Sequence, residues 1–101
     1  MVVRLVADAD SVVTDEGRFV LGDLHVASGT FELGGELPVN TDGGLKTFGH
    51  PTGATGVRMI YENTLQLQGR AGPRQVPNAS LALSHNIGGP PTTCGIAILG
   101  R

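Results

Sequence analysis

Two short stretches hold residue types that can do chemistry. The first is Gly49-His50-Pro51-Thr52-Gly53-Ala54-Thr55-Gly56, a glycine-rich loop with one imidazole between Gly49 and Pro51. A buried imidazole held by backbone on both sides suits general acid–base work or donation toward an oxyanion, since its charge changes near neutral pH. Glycines ahead of a helix also leave backbone N–H groups free to face an anion or a reacting oxygen. The loop has neither Gly-x-Gly-x-x-Gly nor the phosphate-loop Lys-Ser/Thr pair, so it is no nucleotide fingerprint. An ordinary tight turn whose histidine has no chemical role is the competing reading. The second stretch is His85-Asn86-Ile87-Gly88-Gly89, where polar side chains end an apolar run. If strand ends converge there, His85 and Asn86 point into a site. Otherwise they belong to a turn, in which Asn86 tolerates left-handed backbone.

Other reactive residues carry less. Cys94 opens an apolar run and reads as a small buried hydrophobe; a nucleophile needs a base or a helix N-terminus beside it. His25, His50, His85 and Cys94 are spaced by 25, 35 and 9 residues, which matches no ligand motif, so no metal is expected. Asp8, Asp10, Asp15 and Glu16 read as solvated turn residues rather than a catalytic carboxylate pair.

The elements that must position these residues follow from periodicity. Val57, Ile60, Tyr61, Thr64, Leu65 and Gln68 recur at spacings of three and four, which predicts a helix over 54–68 with that side facing the core. Arg58, Glu62, Asn63 and Gln66 then fall on the other side. Thr52 or Thr55 can cap its start, and Gly69 can stop it with positive φ. The apolar runs 79–84 and 94–99 flank a Gly/Pro-rich connection through Pro90 and Pro91, predicting an antiparallel pair buried on both faces. Weaker signals suggest strands at 2–6 and 18–26 around an Asp15-Glu16-Gly17 turn. Glu36 to Asn40 reads as an extended run that Pro38 confines to an edge or a strand start.

Composition bounds the rest. The chain has 101 residues, room for one small domain, and 16 of them are Gly, which argues against a helical bundle. A net charge of −2 provides no electrostatic footprint for nucleic acid or an anionic membrane. One Cys excludes an internal disulfide framework, and no apolar stretch approaches the length of a membrane span. A reducing, cytoplasmic setting is the expectation. Aromatic residues are 4% of the chain, too few for a large self-sufficient core, so this backbone reads as part of a larger one.

Taken together, Leu37-Pro38-Val39-Asn40-Thr41-Asp42-Gly43-Gly44, the Gly49–Gly56 loop and His85-Asn86-Ile87-Gly88-Gly89 resemble, in order and spacing, the C-terminal end of the thiolase superfamily. The nearest group by resemblance is the sterol-carrier-type and archaeal-type acetyl-CoA acetyltransferases. The likeness runs from Gly34 to Leu99, which divides the chain into a poorly matched segment 1–33 and a thiolase C-terminal-like domain 34–101. It implies an α+β (thiolase-like α/β) fold: a partial C-terminal half with a mixed sheet and one packed helix, on strands near 37–40, 79–84 and 94–99.

The resemblance also implies acyl transfer between coenzyme A thioesters, with the thioester as substrate and no cofactor. His50 corresponds to the residue that activates a nucleophilic Cys and helps an oxyanion hole, and Gly88 to a second oxyanion donor. His85 and Asn86 belong to that last loop, while Asn40, Gly43, Gly44 and Gly49 support the shape of the site. Asn86 stands where many thiolases place a second Cys as base. The chain contains nothing like the nucleophilic-Cys motif, the coenzyme A-binding loop or the His-Asp-x-Phe motif of the sterol-carrier-type relatives. An acyltransferase subunit or fragment completed by an N-terminal thiolase half or another thiolase-like subunit is therefore expected, as an oligomer that binds acyl-CoA but not nucleic acid or membrane. A non-catalytic binding or assembly module, or a remnant, is the alternative.

Overall fold

The computed structural model describes residues 26–89 and 92–101. The expected strand at 2–6, all of the one at 18–26 except Val26 (which is helical), His25, the acidic turn residues and Pro90-Pro91 lie outside the described residues. The order of elements is a one-turn helix α1 (Leu45–Phe48), the long helix α2 (Thr55–Leu67), a 3-10 turn Gly72–Arg74, and strands β1 (Leu81–Ile87) and β2 (Cys94–Gly100). This is an α+β arrangement in which α2 lies against an antiparallel β1–β2 pair. Among the described residues, that pair stands for the mixed sheet expected of the fold.

Helix α2 ends as its sequence predicts. Gly69 takes φ 69°, its N–H bonds to the Gln66 carbonyl, and the Arg70 N–H reaches back to the Leu65 carbonyl. Those two bonds satisfy carbonyls that the last turn would leave bare. The start differs from expectation, because neither Thr52 nor Thr55 caps it. The N-cap is Ala54, with no side-chain hydrogen bond, and Thr55 is already helical.

The orientation of α2 reverses the reading by hydropathy. Glu62 and Gln66 are 5% and 1% exposed, whereas Val57 and Tyr61 are 70% and 56% exposed. The helix turns its polar side inward because Thr41, Arg74 and Val76 meet it with matching groups. Thr41 and Arg74 donate to the Glu62 carboxylate, Gln66 donates to the Arg74 carbonyl at 2.7 Å, and the Val76 N–H donates to Gln66 Oε1 at 2.9 Å. A buried polar group with partners costs little, and one without costs a few kcal/mol.

The apolar core is correspondingly small: Leu67, Val76, Ala79 and Ala82, with Leu99 packed against them. The register Ala82↔Leu99 and Ser84↔Ala97 places these residues on the sheet face toward α2. The expectation of a pair buried on both faces is corrected here. Ile87, Ile96 and Ile98 on the far face are exposed, and so is Cys94, which was expected to be buried. Residues 36–40 form no strand of the sheet either. Their bonds are local, from the Leu37 and Val39 N–H groups to the Thr30 and Phe31 carbonyls. No helix among the described residues is long and apolar enough to cross a membrane.

Candidate functional site

Two consecutive segments, the turn around Asn40–Gly44 with α1 and the loop into α2, meet the distant end of β1 at a cleft of about 540 Å³. That volume lies within the range that takes a small ligand.

The turn is built tightly. The Gly43 N–H bonds to the Asn40 carbonyl at 2.8 Å, with Asn40 itself at φ 52°. Asp42 Oδ1 accepts the Gly44 N–H at 3.0 Å, while its Oδ2 lies 3.3 Å from Arg58 Nε on α2. The Arg58 guanidinium also stacks 4.2 Å over the Phe48 ring, so one side chain pins the turn, α1 and α2 together. Gly43 has φ 86°, and a Cβ there would overlap the Thr47 hydroxyl. Helix α1 and this Arg58 clamp escaped the sequence reading. The Asp42-to-Arg58 separation of 16 residues is set by tertiary folding and leaves no local pattern.

Behind the turn lies a polar cluster. Thr41 donates to Glu62 Oε1 at 3.0 Å, and Gln66 Nε2 adds a 3.1 Å bond to the same oxygen. Arg74 reaches both carboxylate oxygens, at 3.3 and 2.9 Å. Burial alone would raise the Glu62 carboxyl, but the hydrogen bonds from Arg74, Gln66 and Thr41 and the Arg74 charge outweigh it and hold the group below its ordinary range. Asn63 also lines the cleft, and its buried Nδ2 has no partner among the described residues.

His50 lines the same cleft. The residue is exposed rather than buried, correcting the expectation, yet its ring is anchored: Nδ1 lies 2.8 Å from the Thr55 hydroxyl. That hydroxyl also reaches the Pro51 carbonyl at 3.2 Å. Gly49 sits at φ 76°, bonding back through its N–H to the Leu45 carbonyl at 2.9 Å. Asn86 lies over the first turn of α2, so close that a Cβ on Gly56 would come within 3.0 Å of its amide nitrogen. His50, Asn86 and the Asn40–Gly44 turn thus line one cleft.

Two expected site features are arranged differently. Strand alternation turns the His85 side chain to the face opposite Asn86, across from Ile96, while both residues line the cleft. The Gly88 N–H, expected as an oxyanion donor, instead donates to the Thr93 carbonyl at 2.9 Å and closes the hairpin. A donor committed to a carbonyl is not available to a developing charge.

The family model described as thiolase C-terminal domain-like matches residues 12–101. The chain belongs to that family. Acetyl-CoA acetyltransferase of Methanothermobacter thermautotrophicus is 47% identical over 73 residues, which cover 72% of this chain and 19% of that protein. Sterol carrier protein 2 of Homo sapiens is 49% identical over 67 residues, 66% of this chain and 12% of the relative. Non-specific lipid-transfer protein-like 2 of Caenorhabditis elegans is 53% identical over 55 residues, 54% of this chain and 13% of the relative. The thiolase-like chain therefore spans less than one fifth of the length of these relatives.

Proposed function

We propose that this chain contributes the His50 wall of an acyltransferase site acting on acyl-CoA thioesters, completed by a further polypeptide that carries the nucleophilic cysteine. The observation that supports this best is the cleft itself, where an imidazole anchored at Nδ1 and the Asn86 amide face a turn stiffened by Asp42 and Arg58. Such a ring can move a proton or polarise a thioester carbonyl. Asn86 positions a water or a carbonyl oxygen, since an amide is no base at neutral pH. The exposed Val57 and Tyr61 of α2 and the exposed isoleucines of the sheet favour a completing subunit, because large apolar side chains left uncovered favour interaction with a further surface.

Without a covalent acyl carrier, two-step transfer has no first step. The isolated chain should give background turnover of acetoacetyl-CoA with coenzyme A, unchanged by Cys94→Ala. Co-expression with an N-terminal thiolase half should restore thiolysis, and His50→Ala should then lower it by at least about a hundredfold. The committed Gly88 N–H favours a second reading, a non-catalytic thiolase-like binding or assembly module. A complex that forms stably but stays at background turnover would select that reading.

A further inference from the structure

The Thr55 hydroxyl has one proton and two acceptors within reach, His50 Nδ1 at 2.8 Å and the Pro51 carbonyl at 3.2 Å. The Pro51 oxygen already accepts the Ala54 N–H at 3.0 Å and the Thr55 N–H at 3.1 Å, one for each lone pair. A third bond to that oxygen is the longest of the set and finds no free lone pair. The contact to Nδ1 has the usual length of a hydroxyl hydrogen bond. We infer that Thr55 is a positioning residue for His50: its hydroxyl donates to Nδ1 and holds the neutral ring as the Nε2–H tautomer.

The consequence is chemical. With Nδ1 occupied as an acceptor, the neutral ring presents a proton at Nε2, suited to a carbonyl oxygen that is gaining negative charge. When the ring is charged, Nδ1 also carries a proton. Thr55 then accepts it and turns its own hydrogen toward the Pro51 carbonyl, so the same hydroxyl serves both protonation states. Thr55 is buried, which keeps water from taking its place. The use of the Nε2 proton on a thioester rests on the acyltransferase reading, but the tautomer does not.

The test is a long-range ¹H–¹⁵N correlation spectrum of the full chain labelled at histidine, at about pH 8.5, above the ordinary imidazole range. The His50 signals are assigned by their loss in His50→Gln. The parent should show a proton on Nε2 and a hydrogen-bonded acceptor at Nδ1. Thr55→Val, which keeps the shape and removes the donor, should move the Nε2–H to Nδ1–H ratio roughly fivefold toward Nδ1–H. Thr55→Ser should restore the parent ratio. A parent ring protonated at Nδ1, or a Thr55→Val ratio equal to the parent's, would overturn the assignment. If amide dispersion shows Thr55→Val unfolded, the parent's Nδ1 shift decides: an acceptor-bonded nitrogen supports the inference, and a free or protonated one sinks it. Failure of the acyltransferase reading appears separately, in the turnover of the completed complex, and leaves these spectra untouched.

Discussion

On one side of α2, Glu62 and Gln66 are enclosed by Thr41, Arg74 and Val76; on the other, Val57 and Tyr61 face outward with no neighbouring core. The polar side does the structural work of this chain. Glu62 accepts from three different side chains, and Gln66 joins the helix to the 74–76 segment through both ends of its amide. The apolar side is only partly covered: Ile60 and Leu65 are half-buried, and Val57 and Tyr61 are exposed. It has the composition of a core face and, at Val57 and Tyr61, the exposure of a surface.

That contrast can be broken from either side. Glu62→Ala removes the acceptor shared by the half-buried Thr41 and Arg74 and the buried Gln66, and leaves a cavity among polar groups that lose a partner. It should lower stability by roughly 2–4 kcal/mol in urea unfolding, the largest effect expected of a single change here. Gly43→Ala should follow, at about 1–3 kcal/mol, through positive φ and overlap with the Thr47 hydroxyl. It should also loosen the cleft, read as increased hydrogen exchange at Gly44, whose N–H bonds to Asp42.

Acid acts on the same side. The Glu62 carboxyl lies below its ordinary value in the fold, so its contribution is complete above the unfolded-state value near 4.5 and is lost as pH falls through the folded value. Unfolding midpoints should therefore decline below about pH 4.5 more steeply for the parent than for Glu62→Gln. Asn63→Leu should have the opposite sign. It removes a buried donor that has no partner, so the protein should gain up to about 1 kcal/mol. A loss of several kcal/mol there would mean that Asn63 is bonded in solution.

The smallest effect on stability should come from the outward side. Val57→Ser with Tyr61→Ser should move the urea midpoint of the chain by no more than about 0.5 kcal/mol. The same double change should reduce self-association in sedimentation, because it removes exposed apolar surface. A large destabilisation instead would place these residues in a core of this chain.

How much of this was legible in the residues varies by element. Helix α2 could be read from its spacing, and its end from Gly69, because helical periodicity and a positive-φ stop are local properties. The hairpin could be read from two apolar runs around a Gly/Pro turn. Asn40, His50 and Asn86 could be singled out by the order of three motifs, and the fold brings all three to one cleft. The opposite facing of His85 and Asn86, which both line the cleft, was not legible before their run was known to be a strand. The engagement of Gly88 with Thr93 was equally illegible, because a backbone N–H carries no mark in the sequence of what it will meet.

Residue type along the chain decides which residues share a helix face and where that helix stops. These depend on interactions within a few residues, where side-chain type alone settles the local geometry. Which face of α2 turns inward was decided by tertiary structure. Hydropathy weighs a residue as though its surroundings were uniformly apolar, but Glu62 meets Thr41 across 21 positions and Arg74 across 12. Groups that find partners at that distance can be buried with little loss, and an apolar face that finds none stays in the solvent.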